Sequence, residues 1–94
     1  MLCMFASVAA DELDDYSGIA RYIQIARIVE TEIRNGTWEV GKPAPSRTQL
    51  SGRFGVAGET ARRAQTWLAD RGYLVNAPGV GMVVTPADRW PTTA

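Results

Sequence analysis

Apolar residues recur every three or four positions between Ile19 and Asn35, which is the spacing of one face of an α-helix. The stripe consists of Tyr22, Ala26, Val29 and Ile33. Ser17 can cap the start of this helix, and Gly36 can end it in a left-handed conformation. Residues 37–45 contain one glycine and two prolines, so we predict a loop there.

Two further helices follow, joined by a turn. The run Ser46-Arg47-Thr48-Gln49 has the pattern of a capping box and begins a short helix that extends to about Arg53. Phe54-Gly55-Val56 is predicted to turn, and a third helix runs from about Gly58 to Arg71. The inward stripe of that helix is Ala61, Ala64 and Leu68. Two helices joined by a short glycine-containing turn indicate a helix-turn-helix unit.

A β-hairpin is predicted after the third helix. Residues 73–75 and 82–85 are β-type runs, and residues 76–81 between them are rich in turn residues. The predicted fold is therefore mainly α with a small β-hairpin (α+β), a winged helix-turn-helix of three helices and a two-stranded wing. We expect a disordered lead-in over residues 1–15, the domain over 16–85, and a flexible tail or linker over 86–94.

Residue usage argues against catalysis. The chain has no histidine, and Cys3 is its one cysteine, so the commonest general base, the commonest metal ligand and any disulfide framework are missing. We expect no enzymatic activity and no cofactor. The apolar run Met1–Ala10 lacks the basic start of a signal peptide, and no run is long enough to span a bilayer. We therefore expect a cytoplasmic protein without a membrane partner.

The net charge of zero conceals an uneven distribution. Four acidic residues precede Tyr16, whereas ten basic and six acidic residues follow from there, a balance of +4. The segment from Gly41 to Gly72 alone carries six basic and two acidic residues. Such a concentration fits either an ordinary solvated surface or a surface that attracts nucleic acid.

The order and spacing of these features resemble the DNA-binding domain of the GntR family over about residues 16–85. The matching residues are Tyr22-Ile23-Gln24-Ile25-Ala26, Ile33-Arg34-Asn35-Gly36, Gly41, Pro45-Ser46, Leu50, Phe54-Gly55-Val56, Thr60, Arg62, Ala64, Leu68, Arg71-Gly72-Tyr73-Leu74 and Gly79-Val80-Gly81-Met82-Val83-Val84. The resemblance implies a bacterial, repressor-type regulator that binds a palindromic operator in double-stranded DNA as a homodimer. It implies a small-molecule effector only if a further C-terminal domain exists.

The chain departs from the family pattern at several contact positions. After Pro-Ser the family usually has Glu-Arg, whereas this chain has Arg47 and Thr48. Where the family shows Ser-Arg-Thr-Thr, this chain has Ala57-Gly58-Glu59-Thr60. The operator of the family therefore cannot be transferred to this protein.

Physical roles can still be assigned as hypotheses. Arg62 either reads a guanine through O6 and N7 or clamps a phosphate. Glu59 either complements the helix dipole or accepts from a cytosine amine, and Thr60 contacts a phosphate or a thymine methyl. The phosphate candidates are Lys42, Arg47, Thr48, Arg53 and Arg63. Gly58 lies at the start of the recognition helix, and Gly79 and Gly81 allow either a tight wing turn or close approach to the minor groove.

Two functions remain open from sequence. The first is sequence-specific DNA binding, with a recognition helix over about 58–71 in the major groove and the wing at 76–81 beside it. The alternative is a winged helix for protein–protein contact without significant DNA affinity, which the uncharged wing tip favours.

Overall fold

Three helices precede the hairpin in the computed structural model, which describes Leu13 and residues 18–91. The elements are α1 (Arg21–Arg34), α2 (Arg47–Phe54), α3 (Gly58–Asp70), β1 (Leu74–Ala77), β2 (Gly81–Val84) and a 3-10 helix (Ala87–Arg89). This order confirms the predicted architecture of three helices and a two-stranded antiparallel sheet. Most of the lead-in predicted over residues 1–15 lies outside the described residues, but Leu13 packs against the core.

Helix α1 contributes one face to the core, as its apolar spacing predicts. The buried positions are Ile25, Ala26, Val29 and Ile33, whereas Tyr22 is only half-buried. The helix begins at Arg21 rather than Ile19, and the predicted cap Ser17 lies outside the described residues. Gly36 follows with a φ of 90°, the left-handed conformation predicted for the end of this helix.

Helix α3 crosses α1 through small buried side chains. Ala61, Ala64 and Leu68 are all completely buried, and they belong to the same core cluster as the buried residues of α1. Leu50 of α2 closes the same core. Because these apolar positions face inward, the opposite face of α3 is left to solvent.

The helix-turn-helix geometry depends on local hydrogen bonds. Gln49 N donates to Ser46 Oγ over 3.1 Å and Ser46 N donates to Gln49 Oε1 over 2.8 Å, so the predicted capping box is present. Helix α2 ends at Phe54, and Gly55 takes the left-handed conformation at φ 66°. The turn therefore reaches α3 after only three residues.

The strands of the wing differ in their bounds from the sequence prediction. Strand β1 starts one residue later than expected and extends to Ala77, which faces Gly81 of β2. The turn is thereby reduced to residues 78–80. Residues 41–44 pair with the other edge of β2, since Gly41 N donates to Val84 O and Ala44 N donates to Met82 O, each over 2.9 Å.

The segment after β2, where we predicted a flexible tail or linker, packs against the domain as far as Pro91. Residues 87–89 form a 3-10 helix, and the Trp90 ring lies 5.8 Å from the Tyr73 ring. Trp90 Nε1 donates to Thr85 O over 3.0 Å, and Arg34 Nη2 donates to Pro91 O over 2.7 Å. The large apolar area of the tryptophan ring explains why this segment packs against the domain.

Candidate nucleic-acid interface

The exposed face of α3 is polar and rich in arginine. Glu59, Arg62, Arg63 and Thr66 are exposed, on the side opposite the buried alanines. The spacing of three and four residues that joins them follows from the helical period. This face is backed by the core, so the helix can present its side chains while its own position stays fixed.

A carboxylate links the two arginines of this face. Arg62 Nε donates to Glu59 Oε1 over 3.1 Å, and Arg62 Nη2 donates to Glu59 Oε2 over 2.5 Å. Arg63 Nε lies 3.7 Å from Glu59 Oε2. The hydrogen bond from Arg62 lowers the pKa of the Glu59 carboxyl, and the same bond raises the pKa of Arg62. Glu59 and Arg62 therefore stay ionised near neutral pH.

The starts of α2 and α3 lie side by side. A Cβ added at Gly58 would be 3.7 Å from Arg47 Cδ, so the stem of Arg47 lies over the first turn of α3. Arg47 and Thr48 are exposed in the first turn of α2. Free amides and the helix dipole at this end attract an anion, and the arginine adds a full positive charge.

The wing carries the predicted glycines and one neighbouring lysine. Gly79 and Gly81 have φ values of 80° and 101°, so both serve the tight turn of the hairpin. Val80 between them is 61% exposed. Lys42 is exposed on the strand-like segment beside β2, where its carbonyl accepts from Val84 N over 3.0 Å. The wing tip itself is thus apolar, and the charge lies at its root.

Two predicted contact residues differ from the others, because Arg53 is bound by a carboxylate of α1 and Thr60 is half-buried. Arg53 Nη1 and Nη2 donate to the two carboxylate oxygens of Glu32 over 2.9 and 2.5 Å, and the guanidinium carbon lies 4.8 Å from the centre of the Phe54 ring. Arg53 therefore joins α2 to α1, and we leave it out of the proposed DNA contacts. Thr60 is half-buried in the first turn of α3.

One exposed polar residue on this face escaped the sequence prediction. Thr66 lies one turn after Arg62, and its hydroxyl donates to Arg62 O over 3.1 Å. Its spacing of four residues from Arg62 was the signal that could have identified it. Gln65, on the same helix, is half-buried and donates to Pro45 O over 3.0 Å. It thus occupies the core margin.

The chemistry of this surface is that of anion recognition. It offers guanidinium and hydroxyl donors on a rigid helix. Among the described residues, no group of three or more Cys, Asp or Glu could hold a metal ion. In the same part of the chain, none of the helices combines the length and apolar character needed to cross a bilayer.

Most of the domain matches a known protein family. The model of the family described as "Bacterial regulatory proteins, gntR family" matches residues 21–84. The transcriptional repressor NagR of Bacillus subtilis is 32% identical over 73 residues, which cover 78% of this chain and 30% of NagR. The chain spans between 26% and 34% of the length of the curated relatives it matches.

Two solved structures have a similar fold and are at least 30% identical in sequence to this chain. BusR of S. agalactiae, solved in complex with its busAB-promotor DNA, superposes with a TM-score of 0.66 at 35% identity, covering 76% of this chain and 35% of BusR. YtrA from Sulfolobus acidocaldarius, a GntR-family transcription factor, gives a TM-score of 0.69 at 30% identity, covering 78% of this chain and 77% of YtrA.

Proposed function

The chain belongs to the gntR family of bacterial regulatory proteins, and we propose that it is a cytoplasmic repressor of transcription. It binds a palindromic operator in double-stranded DNA as a homodimer. The family makes the chain a transcriptional regulator with a DNA-binding domain. The operator symmetry, the dimer and the direction of regulation belong to the proposal.

One observation carries the proposal: the arginine-bearing face of α3 is exposed, and the opposite face is entirely buried. A helix held in this way fits the major groove, whose width admits one helix with its side chains. BusR, which is similar over 76% of this chain, binds promoter DNA, and this supports the same mode of binding here.

Distinct roles follow for the residues of the interface. Arg62 projects from the middle of the exposed face and reads a guanine in the major groove. Arg47, Thr48, Arg63 and Lys42 bind phosphates and set the register of the domain on the duplex. The first turn of α3, with Gly58 and Thr60, approaches the base edges, and the wing at Gly79 and Gly81 lies beside the adjacent groove. In a homodimer the two recognition helices would address half-sites about 34 Å apart.

Selection from random duplexes tests the proposal directly. The full 94-residue chain is incubated with a random duplex library, and the enriched site is titrated at two salt concentrations. We expect an enriched palindrome and an affinity that falls as salt rises, because phosphate binding releases counterions. A chain that enriches no sequence, or whose binding ignores salt, would instead support the protein–protein alternative. A reporter gene under the enriched site distinguishes repression from activation.

Replacement of Arg62 gives the residue-level test. We expect Arg62→Ala to lose about 1–3 kcal/mol on the enriched site and to relax the preference at one base pair. Arg27→Ala, an exposed arginine of α1, is the matched control and should keep the same base preference. If Arg62→Ala weakened every duplex equally, Arg62 would be a phosphate contact and the assignment of base reading would be wrong.

A further inference from the structure

Glu59 lies where it can govern what Arg62 binds. Its carboxylate holds the Nε and Nη2 atoms of Arg62 in a two-point contact on the exposed face of α3. We propose that Glu59 is a specificity-determining residue. It holds the guanidinium of Arg62 in the orientation that contacts a guanine, and it disfavours contact of that arginine with phosphates. This inference rests on the proposed DNA binding and extends it from affinity to sequence choice.

The donor geometry of arginine allows both contacts at once. A guanidinium has five N–H donors in a rigid fork. Glu59 takes the Nε donor and one donor of Nη2. The edge formed by Nη1 and the second donor of Nη2 keeps the spacing that matches O6 and N7 of guanine. Arg62 can therefore read a guanine without breaking its contact with Glu59.

The charge of Glu59 acts against phosphate at the same place. A phosphate that approached Arg62 would also approach the carboxylate, and the two anions repel each other. Glu59 also lies 3.7 Å from Arg63 Nε. Glu59, Arg62 and Arg63 together therefore present one net positive charge rather than two. Binding without sequence preference depends on the number of phosphates that are neutralised, so Glu59 lowers the affinity for an arbitrary duplex. A neutral guanine edge meets no such repulsion.

A purely structural role for this pair predicts different behaviour. Both side chains are more than half exposed, and exposed ion pairs contribute little to the stability of a fold. Removing the carboxylate should therefore leave the thermal midpoint nearly unchanged. Any change in the ratio of operator to non-operator affinity would then report recognition rather than folding.

The test compares Glu59→Gln with Asp70→Asn in the full chain, using the enriched palindrome and a scrambled duplex as probes. Asp70 is the exposed carboxylate at the other end of the same helix, so its variant removes the same charge without touching the fork. We expect Glu59→Gln to bind the scrambled duplex more tightly and with a salt slope steeper by about one. The ratio of the affinity for the palindrome to that for the scrambled duplex should fall about fivefold or more, which is the lower end of the discrimination that one two-point base contact provides. Asp70→Asn should keep the ratio.

A third variant separates geometry from charge. Glu59→Asp keeps the negative charge but shortens the side chain by one carbon, so the two-point contact with Arg62 is lost. We expect its affinity for the scrambled duplex to stay near that of the unmodified chain, while base preference declines. The base pair at which preference declines should be the one that Arg62→Ala relaxes. In the Arg62→Ala background, Glu59→Gln should cause no further loss of base preference.

Several results would overturn the inference. An equal gain in affinity on both duplexes would make Glu59 a simple competitor of phosphate, and equal behaviour of Glu59→Gln and Asp70→Asn would remove any special role. A loss of preference at a base pair other than the one read by Arg62 would mean that Glu59 contacts a base itself. If the unmodified chain shows no sequence preference, the proposed function fails before the variants are compared, so the two failures remain distinguishable.

Discussion

Gly72 and Tyr73 show how single residues connect α3 to the wing. Gly72 has a φ of 92°, and a Cβ at this position would collide with the backbone carbonyl oxygen of Arg89. The Tyr73 side chain is completely buried, with its hydroxyl donating to Glu30 and accepting from Arg34 Nε over 2.8 Å. Burial raises the pKa of Tyr73, and the bond to Glu30 acts in the same direction. The phenol therefore stays neutral, and its hydroxyl keeps both partners.

The collision at Gly72 leads to a stability prediction. We expect Gly72→Ala to lower the free energy of unfolding by about 2 kcal/mol or more, because a left-handed φ costs about 1–2 kcal/mol and the close carbonyl adds to it. Gly79→Ala is the control, since Gly79 has a φ of 80° but no heavy atom within 4 Å of an added Cβ. Urea unfolding measures both. Equal losses would show that the backbone angle alone accounts for Gly72.

Between elements, Glu32 joins the first two helices and the loop that separates them. Its carboxylate accepts from both terminal nitrogens of Arg53, and Oε1 also accepts from Trp38 Nε1 over 2.9 Å. The side chains of Arg53 and Glu32 are 27% and 18% exposed. This partial burial makes the pair a stronger link than the exposed pair on α3. The pair therefore adds a side-chain link between α2 and α1 to their shared core.

A double-mutant cycle measures this link. We expect Glu32→Gln and Arg53→Ala each to destabilise the chain and to show a coupling of about 1 kcal/mol in urea unfolding. The same cycle on Glu59 and Arg62 serves as a control and should show much weaker coupling, because that pair is exposed. Since Glu32 neutralises Arg53, Arg53→Ala should also leave the salt slope of DNA binding unchanged. A flatter slope would return Arg53 to the phosphate contacts.

Helix positions were predictable from sequence because their determinants are local. The apolar period, the capping box at Ser46 and the glycines at 36 and 55 all act within a few residues. The same locality placed Glu59, Arg62 and Arg63 on one face. The strand ends were not predictable, because Asn76 belongs to β1 only through its pairing with Met82 on the other strand of the hairpin. The pairing of Arg53 with Glu32, 21 residues earlier, likewise carries no local signal.

For the molecule as a whole, the segment after the wing joins its root to the first helix. Arg34 lies over the rings of Tyr73 and Trp90, at 5.3 and 5.8 Å from their centres. The same arginine donates to the carbonyl of Pro91, and Trp90 donates to the carbonyl of Thr85. A prediction from local sequence missed this arrangement, because it joins residues far apart along the chain. The wing is thereby held at its base as well as by its own ladder.

Replacing Trp90 should weaken the packing of the segment after the wing against the domain. We expect Trp90→Ala to lower the free energy of unfolding by about 1–3 kcal/mol, less than a fully buried tryptophan because Trp90 is half-buried. Arg89→Ala changes an exposed side chain of the adjacent 3-10 helix and should have a much smaller effect. Urea unfolding of the full chain measures both. Similar values for the two variants would show that residues 86–91 contribute nothing to the domain.

The pairing of β2 on both of its edges has a consequence for how the protein behaves at high concentration. Unpaired strand edges act as templates on which other chains add in register and aggregate. Residues 41–44 cover one side of β2 and β1 covers the other, so within the described residues the open edges are those of the four-residue β1 and of the equally short segment 41–44. An edge that short is a poor template. The apolar tip with its exposed Val80 can therefore be displayed without turning the hairpin into a seed for aggregates.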